Sequence, residues 1–188
     1  MAAVLGLGNP GDQYSGTRHN IGKNTVIGLI ERLGLGLEAG RGEFVFARDP
    51  NSDLILAHNT TYMNLSGISA VDIVDGFELR PDELLVVCDD FNLPFGSLRI
   101  RRSGSDGGHN GLNSIIAQLG TEEFPRLRIG IGPVPEGVDA ADFVLSEFPA
   151  RERAHLKEMA AAAGEALLAV FRDGLDRAMS VHNRRLLE

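Results

Sequence analysis

The run LLVVC, residues 84 to 88, constrains the fold of this chain more than any other segment. Five consecutive apolar residues are typical of a central strand, which is covered on both faces. Asp89 and Asp90 follow directly, and the change from apolar to charged residues predicts that the strand ends at residue 88. The sequence must therefore supply neighbouring strands and helices to cover both faces of a sheet.

Several other segments have the character of strands. The apolar run 2 to 7 ends in glycine and predicts a buried strand. EFVFA (43 to 47) and DLILA (53 to 57) flank the turn-rich DPNS, so they predict a hairpin toward an edge of the sheet. SLRIRR (97 to 102) alternates as a strand with one buried face does, and RLRIGIG (126 to 132) predicts a further strand.

Helical periodicity appears between these strands. Apolar residues recur at helical spacing from Ile21 to Leu33, with Asn20 as the predicted N-cap and Gly34 as the stop. Further helices are predicted before Pro81, over LNSIIAQL, from 151 to 171 and near the C-terminus, whereas 133 to 148 reads as irregular. The order of elements predicts an α/β fold, a single domain over 1–188 with a central mixed β-sheet flanked by helices on both faces.

Composition and charge narrow the class of protein. With 43% hydrophobic residues and no apolar stretch near the ~18 residues of a membrane span, no membrane association is expected. The N-terminus MAAVLGLGNPG does not resemble a secretion signal and Cys88 is the only cysteine, so a cytoplasmic location is expected. The formal charge of -8 argues against a general nucleic-acid coat, although residues 97 to 130 hold five arginines against three acidic residues.

Gly6, Gly8 and Gly11 match the G-x-G-x-x-G fingerprint of a dinucleotide-binding turn. Such a turn opens a helix at once, so that the helix N-terminus faces the pyrophosphate. Here DQYSGTRHN follows Gly11, and the helical spacing begins only at Ile21. The context therefore argues against nucleotide binding.

Polar residues cluster at the predicted ends of strands and the starts of helices, where ligands bind in α/β proteins. They are Asn9, His19, Asn64, Asp89, His109 and Asn110. A histidine held by a carboxylate can take a proton from water near neutral pH, and amide groups can stabilise a developing oxyanion. We assign His19 and Asp89 as this pair. A metal site of His19, Asp89, Asp90 and His109 is an alternative, but no compact ligand spacing supports it.

The chain resembles the bacterial-type peptidyl-tRNA hydrolases over nearly its whole length. The matching motifs, in order, are GLGNPGDQYSGTRHNIG, TTYMNLSG, DDFNLPFGSLRIR, GSDGGHNGLNSI and RLRIGIG. The resemblance implies a monomeric α/β enzyme with a mixed sheet. It further implies hydrolysis of the ester between a peptide and the 3′ ribose of tRNA, without metal or other cofactor.

Individual positions carry over from this resemblance. His19 corresponds to the catalytic base and Asp89 to its carboxylate partner, and Tyr14 would help to shape the cleft. The expected substrate contacts are Asn9, Met63, Asn64 and Asn110. Arg99, Arg101 and Arg128 correspond to residues directed toward tRNA phosphates.

The chain also departs from the family pattern. Cys88 stands where many members have histidine, Asn92 where an aspartate is common, and Asn113 where a basic residue is usual. None of these departures removes a proposed catalytic group. The main rival hypothesis is a noncatalytic RNA-binding relative, and a metallohydrolase is the third. The complete set Asn9, His19, Asp89 and Asn110 disfavours a protein that only binds RNA.

Overall fold

An eight-stranded mixed sheet forms the centre of the protein. The computed structural model describes residues 3 to 187. The strands are β1 (Ala3–Gly6), β2 (Glu38–Ala39), β3 (Phe44–Arg48), β4 (Ile55–Asn59), β5 (Leu84–Pro94), β6 (Ser97–Arg101), β7 (Arg126–Gly132) and β8 (Arg184–Arg185). Their order is β2-β3-β4-β1-β5-β7-β6-β8, in which β4, β1, β5 and β7 run parallel and the other pairings are antiparallel.

Helices cover both faces of the sheet. They are α1 (Ile21–Arg32), α2 (Ser66–Gly76), α3 (Asn110–Leu119), α4 (Ala140–Leu145), α5 (Ala150–Asp173) and α6 (Leu175–His182). Helices α1, α4, α5 and α6 pack in one apolar core, and α2 and α3 pack in the other. The predicted α/β fold, with a mixed sheet between helices, is confirmed. Among residues 3 to 187, no helix combines the length and the apolar character that crossing a bilayer requires.

Strand β5 is the central strand that LLVVC predicts, but the predicted end at residue 88 is wrong. The strand continues through Asp89 and Asp90 to Pro94, with an irregular register against β7 after Asp90. Asp89 lies beside Ile129 of β7 and is only 2% exposed. A carboxylate can occupy a buried strand when hydrogen-bond donors surround it, and a linear apolar pattern does not reveal those donors.

Helix α1 lies directly on β5, and a glycine makes this contact possible. A Cβ atom on Gly22 would lie 2.3 Å from the carbonyl oxygen of Val87. Any larger residue would push α1 off the strand. The close approach places the 3-10 turn Arg18–Asn20, which precedes α1, at the carboxyl end of β1 and beside the middle of β5.

Most of the other predicted elements are found. The hairpin of β3 and β4 lies near one edge of the sheet, with β2 outside it, and α5 covers the predicted 151 to 171 helix. The irregular reading of 133 to 148 is partly wrong, because α4 forms there with the Asp139 side chain as its N-cap. Residue 2 of the first predicted strand lies outside the described residues.

Candidate active site

His19 and Asp89 meet at the carboxyl end of the parallel strands. His19 belongs to the turn before α1, and its Nδ1 lies 2.8 Å from Oδ1 of Asp89. Both side chains are buried. Because an ionised carboxylate can only accept, Nδ1 of His19 carries the proton and Nε2 keeps a free lone pair.

The Asp89 carboxyl is held in its ionised form. Burial by itself would raise the pKa of Asp89, but attraction to His19 and His109 and the hydrogen bonds from both rings outweigh it. The pKa of Asp89 therefore lies well below its ordinary value. An ionised Asp89 can both orient His19 and stabilise the imidazolium that forms when His19 takes a proton.

His109 is the second donor to Asp89, and its own ring is fixed by helix α3. Its Nδ1 accepts hydrogen bonds from the backbone N–H groups of Gly111 and Leu112, at 3.1 and 3.2 Å. That nitrogen is therefore unprotonated, so Nε2 carries the hydrogen and donates to Oδ1 of Asp89 at 3.0 Å. The His109 imidazole thus caps a helix and orients the carboxylate.

The residues on either side of His19 hold its turn in place. Arg18 donates to Oγ of Ser146 and to the backbone oxygen of Glu147, both at 2.6 Å, and forms an ion pair with Glu152 at 3.0 Å. Its guanidinium also lies 4.4 Å from the ring centre of Phe143. Arg18 therefore attaches the His19 turn to the segment that contains α4.

Asn20 holds the loop after β1. Its Oδ1 accepts from the backbone N–H of Asn9 at 2.8 Å, and its Nδ2 donates to the Asn9 carbonyl at 2.9 Å. Asn20 is the N-cap residue of α1, as predicted, but its side chain makes no capping bond to the helix. The same side chain instead fixes the backbone of a residue that lines the site.

Asn9 presents its amide group to the site in a defined orientation. Its Oδ1 accepts from the backbone N–H of Met63 at 2.7 Å. The Nδ2 group is consequently the end that remains to donate into the cleft. The bond also ties the loop after β1 to the turn before α2.

These groups line a cleft of about 520 Å³. Its polar lining comprises Asn9, His19, Asn64, Asp89, His109, Asn110 and Asp139. Met63 and Phe91 supply apolar surface, and Val144 and Leu145 of α4 complete the wall opposite. A buried acid and base therefore face a cavity that also offers uncharged amide donors and apolar contacts. A larger hollow of about 690 Å³, at the other end of the sheet around Phe171, contains no comparable chemistry.

Comparison with known proteins identifies the family. The peptidyl-tRNA hydrolase family model matches residues 3–188. The chain belongs to the peptidyl-tRNA hydrolase family. The peptidyl-tRNA hydrolase of Chloroflexus aurantiacus is 46% identical over 186 residues, covering 97% of this chain and 99% of that protein. That of Elusimicrobium minutum is 43% identical, covering 96% and 98%. The crystal structure of peptidyl-tRNA hydrolase from Acinetobacter baumannii matches with a TM-score of 0.89 at 30% identity, over 98% of this chain and 95% of that one.

The structure brings together most of the side chains that the peptidyl-tRNA hydrolase resemblance singles out. His19, Asp89, Asn9, Met63, Asn64 and Asn110 all line the cleft. Tyr14 does not. It packs edge to face on Tyr62, with ring centres 6.3 Å apart, beside the turn that carries Met63.

The arginines of residues 97 to 130 differ in their exposure and in their partners. Arg99 and Arg101 are exposed on β6. Arg128 instead forms an ion pair with Asp90 at 3.2 Å and donates to the Ser105 carbonyl at 2.7 Å. Arg126, although charged, is fully buried and donates to backbone carbonyls. The exposed basic surface of this segment is therefore smaller than its five arginines indicate.

The contacts of three functional side chains, Arg18, Asn20 and His109, were not predicted from the sequence. Arg18 and Asn20 act through partners more than ten positions away or on other elements, and no local pattern marks such contacts. His109 was part of the polar set, and its position just before a helix was the signal for its capping role. Cys88, which stands where many members of the family have histidine, is a buried thiol. Burial and the neighbouring Asp89 raise the pKa of this thiol, so it remains protonated.

Three side chains in the cleft are of types that can bind a metal ion. His19, Asp89 and His109 place one ligand atom each within 4.8 Å of the others. Asp90, the fourth predicted ligand, is directed away toward Arg128 and the Asn92 backbone. The ring nitrogens nearest to Asp89 are satisfied by hydrogen bonds to its carboxylate, so this donor set fits proton transfer better than metal binding.

Proposed function

We propose that this protein hydrolyses the ester between a peptide and the 3′ ribose of tRNA, with His19 as general base and no metal. The observation that carries the proposal is the 2.8 Å bond between His19 Nδ1 and Asp89 Oδ1 in a cleft of a peptidyl-tRNA hydrolase fold. This bond leaves Nε2 of His19 free to accept a proton from water. Family membership supplies the substrate class.

The proposed reaction has two steps. Nε2 of His19 takes a proton from a water molecule as the water oxygen attacks the ester carbonyl carbon. The oxyanion accepts hydrogen bonds from the Asn9 and Asn110 amides. When the intermediate collapses, the ribose oxygen leaves and takes the proton from the His19 imidazolium. The products are a free peptide and a reusable tRNA.

Amide side chains also account for substrate selection. Asn9, Asn64 and Asn110 can bind the peptide group next to the ester without introducing charge. An aminoacyl-tRNA with a free amino group lacks that peptide group and carries a positive charge instead. A site built to hydrogen-bond a group discriminates strongly against a substrate without it.

The RNA part of the substrate extends beyond the cleft. Exposed Arg99 and Arg101 contact its phosphates, which positions the acceptor stem without reading its sequence. Arg128 can contribute only if the substrate competes with Asp90 for the guanidinium. We further propose that the whole chain, 1–188, acts as one domain, as a monomer and in the cytoplasm. Light scattering of the purified protein measures its oligomeric state directly.

One assay separates hydrolysis from the two rival functions. The protein is incubated with N-blocked aminoacyl-tRNA and with free aminoacyl-tRNA, each with and without a chelator. We expect cleavage of the N-blocked substrate alone, unaffected by the chelator. No cleavage of either substrate would favour a noncatalytic RNA-binding protein, and loss of cleavage with chelator would favour a metallohydrolase.

A further inference from the structure

We propose that the C-terminal strand β8 extends the phosphate-binding face of the sheet, and that Arg185 is its contact with the RNA backbone. This inference rests on the proposed function, because the RNA is the tRNA of that substrate.

The register places Arg185 on the same face as Arg99 and Arg101. In the antiparallel pair of β6 and β8, Ser97 lies opposite Arg185 and Leu98 lies opposite Arg184. Opposed residues point to the same face, and the face alternates along each strand. Ser97, Arg99 and Arg101 share one face, so Arg185 joins it. Arg184 points to the other face, beside the buried Leu98.

Bonds on both sides of the two arginines fix this register. Before them, the Asn183 side chain accepts from the backbone N–H of Ile100 at 2.5 Å and donates to the Ile100 carbonyl at 3.1 Å. After them, the Leu186 N–H donates to the Gly96 carbonyl at 2.7 Å. Leu186 and Leu187 also pack against the core that contains α5. Arg185 therefore has a defined position relative to Arg99.

The arginines of this face are available for a ligand. Arg99, Arg101 and Arg185 are exposed, and no acidic side chain in the described part of the chain forms an ion pair with any of them. Arg102 and Arg128, by contrast, already pair with Asp176 and Asp90. Three exposed guanidinium groups on one face of a chain with a net charge of -8 make a local anion site. Guanidinium is well suited to phosphate because it can donate two parallel hydrogen bonds.

The face also lies at a suitable distance from the reacting ester. Across the sheet, Asp90 of β5 pairs with Gly130 of β7. The β6–β7 register places Ser97 of β6 opposite Gly130, and Ser97 in turn lies opposite Arg185 of β8. Three strand spacings of about 4.8 Å separate Asp90 from Arg185, roughly 14 Å in all. When the ester of a bound tRNA lies at His19, the phosphates that contact Arg185 belong to nucleotides at some distance from the esterified 3′ end. Arg185 should therefore affect binding and leave the chemical step unchanged.

The chain supplies a matched control for this inference. Arg184→Ala and Arg185→Ala remove the same charge from neighbouring positions, but only Arg185 lies on the face of Arg99 and Arg101. Charged residues on an edge strand also prevent association between sheet edges. Light scattering therefore has to show that both variants keep the oligomeric state of the wild type, and thermal melting has to show that both remain folded.

The experiment measures how two quantities depend on salt concentration. One is kcat/KM for the hydrolysis of N-blocked aminoacyl-tRNA, and the other is the affinity for deacylated tRNA, measured by fluorescence anisotropy. Losing one phosphate contact should lower the slope of log affinity against log salt by about 0.7 to 0.9. We expect this change, and an increase in KM of about fivefold at low salt, for Arg185→Ala only. Hydrolysis of N-blocked aminoacyl-adenosine, which lacks the tRNA body, should be unchanged in both variants.

Equal salt slopes for Arg184→Ala, Arg185→Ala and the wild type would overturn the inference. Equal losses in the two variants would also overturn it, because they would indicate a general effect of net charge. If the wild type cleaves neither substrate, the proposed function fails. The anisotropy measurement still decides whether Arg185 binds the RNA backbone.

Discussion

Replacing Asp89 with asparagine isolates the charge of the carboxylate from its geometry. Both hydrogen bonds to Asp89, from His19 and His109, end on Oδ1, and Oδ2 has no partner among residues 3 to 187. An asparagine with its oxygen at the Oδ1 position can accept both bonds, and the opposite orientation would bring N–H groups against N–H groups. Asp89→Asn should therefore keep the His19 ring in place and remove only the negative charge.

The size of the effect follows from the 2.8 Å bond between His19 and Asp89. The charge centres of an imidazolium and a carboxylate in such a pair lie about 4 Å apart, which corresponds to about 4 kcal/mol at an effective dielectric constant near 20. If that attraction develops in the transition state, its loss lowers kcat about a thousandfold. KM should change little, because Asp89 is only 2% exposed and acts through its hydrogen bond to His19.

Single-turnover hydrolysis of N-blocked aminoacyl-tRNA measures this change without interference from product release. Asp90→Asn is the matched control, since Asp90 already pairs with Arg128 at 3.2 Å and contacts neither imidazole. We expect it to keep kcat within about fivefold of the wild type. An Asp89→Asn protein that melts like the wild type and retains more than a tenth of its kcat would refute the assignment of Asp89.

Three further predictions concern histidines and the cysteine. His109→Asn should keep the cap of α3 but lose one donor to Asp89, so kcat should fall about tenfold while thermal stability changes by less than about 1 kcal/mol; unchanged kcat would remove His109 from the account. Burial lowers the pKa of His58, so the unfolded chain binds more protons than the folded protein below about pH 6.5, and the free energy of unfolding should fall as the pH drops from 7 to 5. Urea unfolding should show a shallower fall with pH for His58→Gln than for the wild type, and an equal fall in both would contradict this role of His58. Cys88, with its raised pKa, should react with a thiol reagent only when the protein unfolds, and rapid labelling of the native protein at pH 8 would be inconsistent with its burial.

The apolar patterns of the sequence were sufficient to predict the layers of the fold. LLVVC predicts the centre of the sheet, and the Ile21 to Leu33 spacing predicts α1, because burial on a strand or along a helical stripe leaves a local period. The short strands β2 and β8 have only two residues each and are determined by their partners. The extension of β5 past Cys88 was missed because the burial of Asp89 depends on donors from two distant loops.

In the candidate site, too, the residue types could be predicted from the sequence, whereas the contacts between distant residues could not. Residue types and motif resemblance indicated His19, Asp89 and the asparagines, since the chemistry requires those groups. The sequence does not show that Asn20 fixes the Asn9 backbone, or that Arg18 joins the His19 turn to the α4 segment. Nor does it show that Asp90 already occupies Arg128. These are pairings between side chains that only the folded chain brings within hydrogen-bonding distance.

The central claim is that His19 takes the proton from the attacking water. The most direct measurement compares His19→Ala with the wild type in single-turnover hydrolysis of N-blocked aminoacyl-tRNA, with tRNA binding measured on the same samples. We expect the variant to bind tRNA as the wild type does and to lose about 100- to 10,000-fold in rate, the usual contribution of a general base. A His19→Ala protein that hydrolyses the substrate at the wild-type rate would contradict the account.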